Sequence, residues 1–144
     1  MKRLVSIFLV LLMLMGFSAC ERGIFEHDIF APRSDSVYIK VYNNTDRAIK
    51  SFALDEYENF VLKSTIVAQN ADRSSYASGT DLIFEVLGAA PDSLSFTVSA
   101  TDAYGKEYTS KTVSAAVLNR GTVYAYSVKI AGDRLTLEPL GVEE

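Results

Sequence analysis

From residue 36 to the end of the chain, apolar and polar residues alternate with a period of two, broken every 8–12 residues by clusters of Gly, Pro, Asn, Asp and Ser. Period two places successive side chains on opposite faces of an extended chain, so each alternating segment predicts a β-strand. The segments are 37–42, 48–54, 60–68, 80–87, 94–102, 107–118, 122–130 and 135–140. The clearest is LSFTVSATD, which sets Leu94, Phe96, Val98 and Ala100 on one face and Ser95, Thr97, Ser99 and Thr101 on the other. That predicts one face in a core and one in water. Turns are expected at NNTDR (43–47), DEYEN (55–59), AYGK (103–106), NRG (119–121) and AGDR (131–134). A longer polar loop falls at 69–79, and Gly88 and Pro91 break the chain after residue 87. Gly105 can supply a positive φ, and Pro139 suits an edge or the end of a strand. No segment past residue 20 sustains a 3.6-residue period. Seven to eight short strands predict an all-β fold, a single antiparallel β-sandwich of immunoglobulin-like or transthyretin-like type. The paired cysteines and tryptophan of an immunoglobulin domain are absent, since the chain has one Cys and no Trp.

The first twenty residues follow another pattern. Lys2 and Arg3 precede an apolar run, Leu4 to Phe17, whose only polar side chain is Ser6. A membrane-spanning helix needs about 20 such residues. This shorter run, followed by small Ser18 and Ala19, has the form of a secretory signal. The segment FSAC then resembles the lipobox of bacterial lipoproteins, with Ser18, Ala19 and Cys20 matching and Phe17 standing where Leu is commoner. The resemblance implies cleavage before Cys20 and lipidation of its thiol and new amino group. Several acyl chains, at about 0.8 kcal/mol per buried CH₂, make a firm anchor. The expected organisation is a lipoprotein signal peptide over 1–19, a lipidated Cys20 and flexible tether over 20–36, and a sandwich domain over 37–144. A tether of this length has an r.m.s. span of roughly 20–24 Å. The expected location is the cell envelope, most naturally its outer membrane.

Charge narrows the function. Without Lys2 and Arg3 the chain has 12 basic against 18 acidic side chains, a net charge of -6. That disfavours nucleic acid, whose phosphates need a basic face, and leaves no polybasic patch for lipid head groups. A lone cysteine allows no internal disulfide.

Catalytic chemistry is hard to assemble. His27 is the only histidine and lies in the tether, where no buried acid can orient it for a triad. Zinc sites want several Cys or His ligands, and no phosphate-binding glycine loop is present. Asp55, Glu56 and Glu58 could offer oxygens to Ca²⁺, but lack the spacing and central glycine of a calcium loop. They read as a solvated hairpin tip. Asp81 and Glu85 share a strand face and form the one conceivable acid–base pair. No catalytic residue, metal or cofactor is therefore assigned, and a non-enzymatic role is expected. Eight tyrosines remain. Tyr38 with Tyr42, and Tyr124 with Tyr126, form two rows that could bind a protein or stack on sugar rings, unless they simply fill half-buried sheet surface.

The closing segment LNRGTVYAYSVKIAGDRLTLE, through Leu118, Gly121, Tyr124, Tyr126, Val128, Leu135 and Leu137, resembles the last strands of fimbrillin-like proteins of Gram-negative anaerobes. With the preceding hairpin the likeness covers residues 94–138. It implies a transthyretin-like sandwich, a place as pilus subunit or anchor, trimming after an arginine such as Arg33, and assembly by strand donation. Fimbrillins usually have two sandwich domains, and this chain has room for one. The expected partners are the membrane, through the lipid, and an envelope protein or surface glycan. The leading expectation is a fimbrillin-like anchor or accessory subunit. The alternative is a carbohydrate-binding or accessory module of a glycan-uptake system.

Overall fold

The computed structural model describes residues 31–87, 94–114 and 118–143. The expected signal peptide, Cys20, His27 and the expected tether as far as residue 30 lie outside the described residues, as do the break at Gly88 and Pro91 and residues 115–117. The described residues from Pro32 onward belong to one compact unit.

Nine strands appear, and no helix among the described residues. They are β1 (Ser36–Asn43), β2 (Ile49–Glu58), β3 (Val61–Gln69), β4 (Asp81–Leu87), β5 (Leu94–Asp102), β6 (Glu107–Thr109), β7 (Val113–Ser114), β8 (Val123–Ala131) and β9 (Arg134–Glu143). One sheet has the order β4-β1-β8-β9, and the other β3-β2-β5-β6, with β7 also paired to β5. This is the expected sandwich.

Three expectations about the strands are corrected. The fold is not purely antiparallel, because β1 runs parallel to β8, from Tyr38 beside Val123 to Asn43 beside Val128. Residues 107–118 are not one strand. The Ser110 hydroxyl accepts the Val98 N–H at 3.0 Å and donates to the Lys111 carbonyl at 2.9 Å, which diverts the chain between β6 and β7. Residues 55–58 are not a turn either. They continue β2 because their carboxylates find cross-strand partners: Asp55 with the Thr65 hydroxyl at 2.6 Å, Glu56 with Ser64 at 2.9 Å, and Glu58 with Lys63 at 2.8 Å.

The hairpin tip is therefore only Asn59 and Phe60, both with positive φ, 51° and 66°. Two such residues make the tight turn that matches strand twist, and glycine is the usual second residue. Phenylalanine in a left-handed conformation costs about 1–2 kcal/mol, and this ring is 94% exposed, so packing returns little. Phe60→Gly is expected to raise stability by about 0.5–1 kcal/mol, after the entropy cost of glycine in the unfolded chain. A urea titration of both proteins would check it, and a loss of stability would mean the ring is held by contacts that the fold does not show.

The core lies between the sheets. Val37, Ile39 and Val41 of β1 face Phe52 and Leu54 of β2, with Phe96, Val98 and Ala100 of β5 beside them. Full burial of each large side chain contributes about 1.5–3 kcal/mol. The outer face of β5 is less wet than alternation predicts. Thr97 and Ser99 are buried, because they are short and lie between β2 on one side and β6–β7 on the other. The Thr97 hydroxyl has no hydrogen-bond partner among the described residues.

One end of the sandwich is closed by a polar knot at the β5–β6 turn, where Gly105 takes φ 83° as expected. Asp102 accepts the N–H groups of Tyr104 at 2.8 Å and Lys106 at 3.0 Å, and the Tyr108 hydroxyl at 3.1 Å. Burial alone would push the Asp102 carboxyl up. These donors outweigh it and hold the group below the ordinary aspartate range. Arg47 lies 4.9 Å and Lys106 5.1 Å from the Tyr108 ring centre, so two cations flank one aromatic ring. Arg47 also donates to the Tyr108 hydroxyl, and Lys106 pairs with Asp133.

Candidate functional site

The pairing of β1 with β8 decides the fate of the tyrosines. Ile39 lies beside Tyr124, and Val41 beside Tyr126. Neighbours in register share a face, so Tyr124 and Tyr126 point into the sandwich, while Tyr38 and Tyr42 point out of the same sheet. The two rows cannot form one surface. Tyr38 is itself buried, its hydroxyl donating to Glu85 at 3.1 Å and accepting the Arg33 N–H at 2.9 Å. Tyr42 is half-buried, donates to Glu143 at 2.6 Å, and has the Lys40 ammonium 4.9 Å from its ring centre. The Tyr124 hydroxyl accepts the Asn119 N–H at 2.6 Å. Tyr126 meets Phe96 of the opposite sheet edge-on at 5.8 Å, and burial raises its pKa.

The carboxylates are equally engaged. Asp81 pairs in register with Tyr42, and Glu85 with Tyr38. Four residues along a strand separate them by about 13 Å, too far for a carboxylate pair acting on one glycosidic bond, which needs about 5–9.5 Å. Glu85 accepts the Ser36 hydroxyl at 2.8 Å. Asp81 lies 3.3 Å from Lys40, which lies 2.8 Å from Glu143. The Glu143 carboxylate, with Tyr42 and Asp81, holds Lys40 above the ordinary lysine range. Lys40 and then Tyr42 hold Glu143 below the ordinary glutamate range. Among the described residues, no group of three or more His, Cys, Asp or Glu could hold a metal ion.

What remains is a groove on one flank. β9 is the last strand of its sheet, and β6 and β7 make a broken edge on the other. Between them lies a cavity of about 560 Å³, lined by Thr109, Ser110, Lys111, Val113, Arg134, Leu135, Thr136 and Leu137. Leu135 is buried, while Leu137 and Val113 are half-buried. The floor is apolar, and Lys111 and Arg134 bring positive charge to its lining. One wall is the unpaired edge of β9, so the groove can accept an extended chain through backbone hydrogen bonds and side-chain pockets. Pro139 falls on this edge strand, as expected, next to a bulge opposite Ala125 and Tyr126. The groove is invisible in the sequence as long as 107–118 is taken as one continuous strand. The available signal was the polar run from Thr109 to Thr112, which interrupts the alternation between Tyr108 and Val113.

No family model matches the chain, and no curated protein matches it. Among solved structures, it is similar to an NMR structure of a protein from Eubacterium rectale, at TM-score 0.49 and 10% identity, over 74% of this chain and 90% of that one. It is also similar to a crystal structure from Bacteroides uniformis, named as a candidate cell adhesion protein, at TM-score 0.45 and 13% identity over 76% of this chain. A third, from Bacteroides ovatus and named in the same way, gives TM-score 0.36 and 9% identity, again over 76% of this chain. The chain spans 50% and 44% of the lengths of the two Bacteroides structures.

Proposed function

We propose that this chain is a non-enzymatic binding protein of the cell envelope, held by lipid on Cys20, which grips an extended segment of another envelope protein in the β6–β7/β9 groove. The single observation that carries the reading is that groove, with the unpaired edge of β9 beside a floor of Val113, Leu135 and Leu137. A segment laid along β9 would hydrogen-bond to its backbone, while every second side chain entered the apolar floor. Lys111 and Arg134 favour a segment that also carries acidic residues. An anchor or accessory subunit of a surface appendage, of the fimbrillin-like kind, is the role this reading fits. The carbohydrate-binding alternative loses its motive, since none of Tyr38, Tyr42, Tyr124 and Tyr126 is an exposed platform for a sugar ring.

The test is a pull-down from native envelope with the intact chain, Leu137→Arg, Arg134→Glu and Cys20→Ala. The intact chain is expected to bring down envelope proteins. Leu137→Arg, which fills the groove with a charge, is expected to lose about tenfold or more of that capture, and Arg134→Glu to weaken it without altering the unfolding curve. Cys20→Ala is expected to leave the membrane fraction. Undiminished capture by both groove variants would refute the groove as the binding site.

A further inference from the structure

The opposite flank of the sandwich has an unusual edge. Sheet edges are ordinarily guarded by charge, proline, bulges or short length, because an unpaired edge recruits other strands. Most edges here are guarded. β4 carries Asp81 and Glu85, β6 and β7 are three and two residues long, and β9 carries Pro139 and a bulge in its second half, which leaves open only the stretch from Arg134 to Leu137 that lines the groove. β3 is guarded only near the hairpin tip, where its register shifts against β2 and Lys63 stands. From residue 64 to 69 it reads STIVAQ, with no charge, proline or glycine. Thr65 and Val67 are exposed on the outer face, and Ser64, Ile66 and Ala68 are half-buried along the rim of the core.

Charge along this hairpin is polarised. The tip end carries Asp55, Glu56 and Glu58 against the single cation Lys63. The far end carries Lys50, whose ammonium donates to the Arg73 carbonyl at 2.9 Å, and Arg73 itself, against the single anion Asp72. An antiparallel copy of the same strand sets the acidic end of each molecule beside the basic end of the other.

We propose that β3 is a self-association surface, at which a second copy of this chain pairs antiparallel about a two-fold axis through Ile66. Opposite residues must then lie on the same face, and they do. Ile66 meets itself, Thr65 meets Val67, and Ser64 meets Ala68, while Lys63 falls opposite neutral Gln69. The half-exposed rim of the core is covered by the matching rim of the second copy, and the two five-stranded sheets become one. The contact is isologous, so it closes at two copies. It lies on the opposite edge of the sheet from β6 and β7 and stands apart from the groove and its occupant.

Sedimentation equilibrium of the full chain in density-matched detergent would test this. The expected mass is that of a dimer. Val67→Lys, at a position 61% exposed, is expected to give a monomer that still unfolds cooperatively and matches the wild type at concentrations low enough for both to be monomeric. Glu58→Arg is expected to weaken the dimer about fivefold, the reach of a surface ion pair, and adding Arg73→Glu to restore it. That restoration sets the contact apart from the internal Glu58–Lys63 pair, which the second change does not rebuild. A monomeric wild type, a mass that keeps growing with concentration, or a Val67→Lys dimer as tight as the wild type would each overturn the proposal.

Discussion

Replacing Phe96 with alanine is expected to cost about 3–5 kcal/mol of folding stability. Phe96 is fully buried in β5, and its ring meets Tyr126 of the other sheet edge-on at a centroid distance of 5.8 Å. Truncation therefore removes both the transfer of an aromatic ring out of water and a contact that ties the two layers together. The strands on either side are held by their own ladders, β2 on one edge of β5 and β6–β7 on the other. They cannot close freely over the gap, so the cavity term is kept. A domain of this size has about 5–15 kcal/mol in total, and the variant is expected to unfold at a much lower urea midpoint with an unchanged slope. A loss below about 1 kcal/mol would mean that the interior collapses around the gap.

Asn43→Ala is expected to cost about 2–4 kcal/mol, nearly as much, although no apolar surface is lost. Asn43 is fully buried at the end of β1. Its amide donates to the Ala77 carbonyl at 2.9 Å, and its side-chain oxygen accepts from the Thr45 hydroxyl at 2.8 Å and the Thr45 N–H at 3.3 Å. Its backbone joins the same loop, accepting the Gly79 N–H at 2.7 Å and donating to Thr80 at 2.8 Å. Alanine leaves several of these groups enclosed without partners, at about 1–3 kcal/mol for each one that water cannot reach. Asn43→Asp is expected to be worse than alanine at neutral pH. It would regain part of the loss in acid, because burial raises the folded-state pKa of the new carboxyl and its protonated form restores a donor toward Ala77. Equal stability of the aspartate variant at both pH values would show that water reaches the site.

The fold was legible where alternation was clean. In β5 the residues expected on the core face, Phe96 and Val98, are buried in the core, whereas Tyr126 of β8, a candidate for a binding row, is buried there too. Legibility failed where polar side chains satisfied one another across strands. Asp55, Glu56 and Glu58 look like a turn in one dimension, and only the Thr65, Ser64 and Lys63 side chains opposite explain why they are a strand. The candidate site was read less well. A groove is a relation between two sheet edges, and no local pattern states which edges meet. The roles of Asn43 and Asp102 were likewise hidden, since both look like ordinary turn residues until the loops they hold are folded around them.

By itself, the sequence determined the all-β class, the positions of most strands, and the buried side of the strands whose alternation is clean, such as β5. Those properties follow from side-chain period and composition, which are local and additive along the chain. Only the tertiary structure decided that β1 lies parallel to β8, that the two tyrosine rows fall on opposite faces of one sheet, that a groove opens beside β9, and that β3 is left with an unguarded edge. Each of these depends on which strands become neighbours. That choice is set by the burial and hydrogen bonding of the whole chain at once, and no stretch of ten residues contains it.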